Sequence, residues 1–281
     1  MVGGGVTVSF NRRIVSGRAV LAADIVGEGT PVVFLHAGVA DRRMWSAQLA
    51  TTGMRAKAIA YDRRGFGDTR ADVEEFSAVA DLVKVIDDVA GGVPAILVAC
   101  SQGGRIALDM VLKHPAYVCG LVLIAPSVSG WPEPVYPPEI RRLIEQVRKS
   151  EQAGDLKRAN ATKAHLWLDG PFQPEGRVGG EARRLFLEMN DRLLPPSSVG
   201  ANVDVASAYQ RLGEISVPSL VIWGNLDFPN IQDRSRYLTT VLPNAAGHEL
   251  SGTAHLPSLD RPAEVSALIG EFVDGHFGRF G

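Results

Sequence analysis

The stretch Ala95-Ile96-Leu97-Val98-Ala99-Cys100-Ser101-Gln102-Gly103-Gly104 passes from an unbroken apolar run straight into a serine set among small residues. Six apolar residues without a polar alternate suit a strand buried on both faces. Ile106, Ala107, Met110 and Val111, which follow, have the 3-and-4 spacing of a helix. A strand that turns into a helix this abruptly leaves room only for small side chains at Ala99, Gly103 and Gly104, and it exposes the Ser101 hydroxyl at the apex. The helix start beneath it favours developing negative charge.

Comparable apolar runs lie at 19–26, 32–36, 56–61, 121–125 and 220–223, each bounded by Gly, Pro or charge. Helical patterns alternate with them, among them Phe76, Val79, Ala80, Val83 and, near the end, Val265, Leu268, Ile269, Phe272. Alternation of this kind, with most strands apolar throughout, predicts an α/β fold: a mostly parallel central sheet with helices on both faces. Residues 128–213 break the rhythm. They hold no strand pattern, but two amphipathic helices are expected, one at Ile140, Leu143, Ile144, Val147 and one at Ala182, Leu185, Phe186, Met189. Pro132, Pro134, Pro137 and Pro138 shape the leading edge, and Pro195 and Pro196 lie further in. This segment reads as an inserted helical cap, with 1–127 and 214–281 as the core around it.

The chain has 281 residues, 46% of them hydrophobic and 21% charged, with 29 Lys+Arg against 31 Asp+Glu. Such a composition is that of an ordinary globular protein of one or two domains. Without a basic excess, nucleic acid and anionic membrane surfaces are not expected partners. No uncharged apolar stretch approaches the roughly 18 residues of a membrane span. The two cysteines, Cys100 and Cys119, lie in apolar runs and suit buried reduced thiols. The start shows no basic-then-apolar leader, so a cytoplasmic location is expected. The glycine-containing ends at 3–5 and 278–281 read as flexible.

In open parallel sheets, ligands bind beyond the carboxyl ends of the strands, so the polar residues that follow each apolar run are the candidates for chemistry. Besides Ser101 these are Asp227 in Gly224-Asn225-Leu226-Asp227, His255 in Gly252-Thr253-Ala254-His255-Leu256, and the small-residue loop His36-Ala37-Gly38. A serine hydroxyl is a weak nucleophile at neutral pH and needs a base, itself held in one tautomer by a third group. Ser, then Asp, then His is the chain order of one such class of triad. His36 is expected to brace its loop through backbone bonds, Asp62 to bond turn backbone, and Cys100 to pack. Neither H-E-x-x-H nor C-x-x-C spacing occurs, so neither a metal nor a cofactor is expected.

These motifs, with Tyr61-Asp62-Arg63-Arg64-Gly65-Phe66-Gly67 between them, arrive in the order seen in the α/β-hydrolase family, which the sequence resembles over nearly its whole length. The resemblance implies Ser101 as nucleophile, His255 as general base and acid, Asp227 as its orienting acid, and the backbone amides of Gly38 and Gln102 as the oxyanion hole. It also implies that 128–213 is a lid. Ala99 stands where glycine is usual, and His-Ala-Gly where His-Gly is usual. A serine at the nucleophile position, where relatives acting on haloalkanes or epoxides carry aspartate, points away from those chemistries. Trp45, Trp131 and Trp167 are candidate pocket residues, each also compatible with a core position. The expected reaction is hydrolysis of a small, moderately apolar ester or lactone as the small-molecule partner. Cleavage of a carbon–carbon bond by the same triad, and ligand binding with little turnover, are the alternatives. The oligomeric state is left open.

Overall fold

The computed structural model describes residues 8–193, 198–205 and 207–277. Pro195, Pro196 and the ends at 3–5 and 278–281 lie outside them. The strands are β1 (Val8–Ser16), β2 (Ala19–Val26), β3 (Pro31–Leu35), β4 (Lys57–Tyr61), β5 (Arg70–Ala71), β6 (Ala95–Cys100), β7 (Val118–Ile124), β8 (Ser219–Gly224) and β9 (Ala245–Leu250). They form one sheet in the order β1-β2-β4-β3-β6-β7-β8-β9, with β5 paired to β2. Pairings from β4 through β9 are parallel, and those made by β2 are antiparallel.

The helices are α1 (Ser46–Thr52), α2 (Ala78–Ala90), α3 (Gln102–Lys113), α4 (Pro138–Gln152), α5 (Leu156–Ala164), α6 (Gly180–Asp191), α7 (Ala208–Arg211), α8 (Pro229–Val241), α9 (Pro257–Asp260) and α10 (Pro262–Phe277). Alternate residues of each central strand point to opposite faces, and both faces are covered. Leu35, Leu97, Leu123 and Val221 pack with α2, α3 and α8. Phe34, Val98, Ile124 and Ile222 pack with α1 and α10. Two-sided burial is why these strands are apolar at every position.

Between β7 and β8 the chain is helical, from α4 through α7. Its return leg rejoins the core: Phe76 and Asn202 form an isolated bridge, and Ala208 and Leu212 pack in the layer that holds α3. Two edge strands carry no apolar run. β1 exposes Asn11, Arg12 and Arg13, and much of β9, Ala-Ala-Gly-His-Glu-Leu, is also exposed. Charge and poor strand formers at a sheet edge discourage pairing with other chains.

One buried ion pair ties three of these parts together. Arg64, in the turn after β4, donates from Nε to Asp81 Oδ2 at 2.8 Å and from Nη2 to the Ser16 carbonyl at 2.8 Å. The Ser16 hydroxyl closes the triangle on Asp81 Oδ1 at 2.6 Å. Removing one partner of a buried pair leaves the other desolvated and undercompensated. Asp81→Ala is therefore expected to lower the unfolding free energy by about 3 kcal/mol, read as a shift of the urea midpoint at unchanged m-value.

Candidate active site

Ser101 lies between the end of β6 and the first residue of α3, with φ 52° and ψ −115°. Left-handed backbone is unfavourable for a residue with a Cβ, and here neighbouring bonds hold it. Ser101 N donates to the Ile124 carbonyl at 3.0 Å, and its own carbonyl accepts from Ser127 N at 2.9 Å. The two glycines of the turn are required by close approach. A Cβ on Gly103 would lie 2.5 Å from the Leu35 carbonyl oxygen, and one on Gly104 would lie 2.6 Å from Pro126 Cβ. The Ser101 side chain is thus raised, half-buried, over the N-terminus of α3.

The loops after β8 and β9 are stitched to each other. Leu226 N bonds the Thr253 carbonyl at 2.9 Å, and Gly252 N bonds Asn225 Oδ1 at 2.8 Å. This brings Asp227 and His255, both 1% exposed, into contact, with Nδ1 and Oδ2 2.8 Å apart. Asp227 Oδ1 accepts from Phe228 N at 2.7 Å, which fixes the carboxylate. Facing a carboxylate, Nδ1 carries the proton, and Nε2 keeps a lone pair. Cys100, just before Ser101, lies with its sulfur 3.8 Å from the His255 carbonyl oxygen, so the histidine loop sits against the elbow. The Ser101 hydroxyl has no hydrogen-bond partner among the described residues. Contacts of this kind commonly tighten only around a bound substrate.

On the other side of Ser101 stands the loop 36–38. The fully buried His36 ring accepts at Nε2 from Arg63 N at 3.1 Å and donates from Nδ1 to the Ala37 carbonyl at 2.8 Å. Burial, with the Arg63 charge beside it, holds the imidazole pKa well below its usual value, which suits this neutral bracing role. Arg63 bonds the His36 and Ala37 carbonyls at 3.2 Å and Gln102 Oε1 at 2.9 Å, so it joins this loop to the start of α3. The backbone amides of Gly38 and Gln102 donate to no acceptor among the described residues. Asp62 accepts from the backbone N–H of Arg42 and Asp68, each at 2.8 Å, and pairs with the Arg42 guanidinium. Burial pushes its carboxyl up to about 6 against the pull of Arg42.

Residues 32–268 match the Alpha/beta hydrolase family. The chain belongs to the alpha/beta hydrolase family. It is 26% identical over 253 residues to a pimeloyl-[acyl-carrier protein] methyl ester esterase of Neisseria meningitidis, covering 87% of this chain and 93% of that one. Among solved structures, an esterase from a Rhodococcus species has the same fold, with a TM-score of 0.78 and 22% identity over 95% of this chain and 100% of that chain. So has Est816, described as an N-acyl homoserine lactone degrading enzyme, with a TM-score of 0.68 and 23% identity over 93% of this chain and 100% of that chain.

In this alpha/beta hydrolase, helices α5 and α6 wall a cleft of about 770 Å³ whose core side includes Gly38, Phe66 and Gln102. That helical side is mixed, with Asn160, Lys163, Asn190 and Asp191 beside Leu156, Ala159 and Leu193. The three candidate tryptophans part company. Trp45 is wholly buried against Phe34, with ring centres 5.4 Å apart. Trp131 packs on Tyr209 and Tyr237. Trp167 alone of the three meets the site, its ring 4.8 Å from His255 and 4.5 Å from Phe228. It rides on a turn of π-helix, His165–Asp169, an irregularity common at functional sites.

One residue unnoticed in the sequence clamps this arrangement. Arg177 bonds the Leu168 and Asp169 carbonyls at 2.9 and 2.6 Å and the Gly252 carbonyl at 2.9 Å, and it forms an ion pair with Asp260 at 2.7 Å. It thereby fastens the Trp167 turn to the His255 loop. A lone arginine in a Gly/Pro-rich connection has no periodicity that could have marked it. Among the described residues no group of three or more His, Cys, Asp or Glu is placed to hold a metal ion, and no helix is long and apolar enough to cross a membrane.

The elbow's sterics set an expectation. Gly103→Ala forces a Cβ into the Leu35 backbone and is expected to cost about 1–3 kcal/mol, the usual penalty of overpacking, read as a lower Tm.

Proposed function

We propose that the protein is a serine hydrolase that transfers the acyl group of a small, moderately apolar ester or lactone to water. The observation that carries this reading is the position of Ser101, at a left-handed apex above a helix N-terminus with the His255–Asp227 loop against it. In the proposed cycle Ser101 Oγ attacks the substrate carbonyl carbon while His255 Nε2 takes its proton. The Gly38 and Gln102 amides, without a partner among the described residues, stabilise the oxyanion. His255 then returns the proton to the leaving oxygen, which departs from an ester or stays tethered in a lactone. Water, deprotonated by His255, attacks the acyl carbon and releases the acid and Ser101. The helices between β7 and β8 act as a lid, with its Trp167 ring beside His255 and against Phe228 of the Asp227 loop. The esterase and lactone-degrading enzyme among the similar proteins support both substrate classes.

A fluorophosphonate is expected to add once per chain, with peptide mapping placing the adduct on Ser101 and none forming on Ser101→Ala. No adduct on the folded wild-type protein would defeat the reading. Asp227→Asn leaves His255 without its orienting carboxylate, and kcat on a short-chain aryl ester is expected to fall by about 10³–10⁴-fold, measured in steady-state assays.

A further inference from the structure

Beside Gln102 lies a second cavity of about 230 Å³, lined in part by Tyr61, Arg63, Phe66, Phe76, Arg105 and Ile106. We propose that this cavity is a binding site for a small monocarboxylate with an apolar body, held by Arg105 beside Arg63.

Charge is the first support. Three arginines line the cavity, and only Arg64 is neutralised, by Asp81 and Glu74. Asp81, which also lines it, is consumed by that pair and by Ser16. Arg63 is 7% exposed, yet its hydrogen bonds go to the neutral acceptors Gln102 Oε1 and the His36 and Ala37 carbonyls. The Arg105 guanidinium donates no hydrogen bond and forms no ion pair among the described residues. The nearest acid along its helix, Asp109, is engaged by the Ser129 hydroxyl at 2.6 Å. The Arg63 and Arg105 charges repel, which is electrostatically costly in a partly desolvated place. Burial, with the Arg105 charge adding to it, lowers the Arg63 pKa to about 10.

The second support is the donor inventory. Arg63 Nε, Arg105 Nε and the Tyr61 hydroxyl are all buried without a partner, and all three residues belong to this one cavity. Burial raises the Tyr61 pKa, so its hydroxyl remains a donor. Buried polar atoms are ordinarily satisfied, and three orphaned donors on residues that line one space leave that region short of acceptors. Water could accept these bonds but would leave the charge uncompensated. A carboxylate answers both demands, because its two oxygens match the guanidinium fork. The walls Phe66, Phe76, Ile106 and Val199 add an apolar surface that inorganic anions cannot use.

Benzoate and, separately, inorganic phosphate are titrated calorimetrically at constant ionic strength into the full chain carrying Ser101→Ala, so that binding is read without turnover. Benzoate is expected to bind at one site and to raise Tm. Adding Arg105→Gln is expected to weaken it about tenfold or more, the size of a lost charge-assisted bond. The ligand-free Arg105→Gln protein should melt no lower than its parent, because an unpaired cation has gone. Arg105→Lys, which keeps the charge without the fork, is expected to bind several-fold more weakly and serves if the glutamine variant does not fold. The proposal is overturned by absence of saturable benzoate binding, by an affinity unchanged in both variants, or by phosphate binding as tightly as benzoate. A failed fluorophosphonate reaction with intact benzoate binding would instead fault the hydrolase reading alone.

Discussion

Holding a serine at φ 52° costs on the order of 1–3 kcal/mol, and the carboxyl edge of the sheet is organised around the bonds that maintain it. Ser101 bonds the end of β7 at Ile124 and the segment after it at Ser127. The next strand end repeats the device, since Ala125 has φ 46° and its N–H bonds the Ile222 carbonyl of β8 at 2.8 Å. Gly103 and Gly104 let β3 and Pro126 close on the turn from either side. Strain at the apex is therefore shared by four adjacent parallel strands, which have no freedom to relax separately. The same crowding that makes the turn unfavourable leaves the serine side chain nowhere to go but outward.

Beyond the strand ends regular hydrogen bonding stops, and arginines take over the task of joining loops. Arg42 meets Asp24 and Asp62, Arg63 meets the His36 loop and Gln102, and Arg64 meets Asp81 and Ser16. Arg177 does the same between the helical segment and the His255 loop. Several of these bonds go to backbone carbonyls, which have no other way of being satisfied where secondary structure ends. A guanidinium offers five donors in one plane, so a single side chain can span three segments. Arg63 and Arg105 stand apart because the acid among the described residues that lines their cavity, Asp81, is already paired with Arg64.

Much of the architecture was legible residue by residue. β3, β4, β6, β7 and β8 follow apolar runs because strands buried on two faces seldom admit a polar alternate, and β2 does so except at Asp24. β1 and β9 were not legible, since edge strands are solvated and their composition answers to solubility. The polar ends of β6 and β8 and the histidine loop pointed to Ser101, Asp227 and His255 because function in such a sheet is confined to one edge. The tryptophans show the opposite limit. Trp45, Trp131 and Trp167 have the same chemistry, and only packing separates a core ring from one that touches His255.

The one-dimensional pattern therefore decided the fold class, the order of strands and helices, and the tight turn at Ser101, because periodicity and side-chain size act locally along the chain. It could not decide which residues meet across it. The contact of Asp227 with His255, the pairing of Arg64 with Asp81 and the clamp of Arg177 join positions distant in sequence, and each exists only once β8, β9 and the connecting segments are packed. The cleft at α5 and α6 and the arginine-lined cavity beside Gln102 are likewise properties of enclosed space. Enclosure depends on how non-adjacent surfaces face each other, and that relation is set by long-range packing alone.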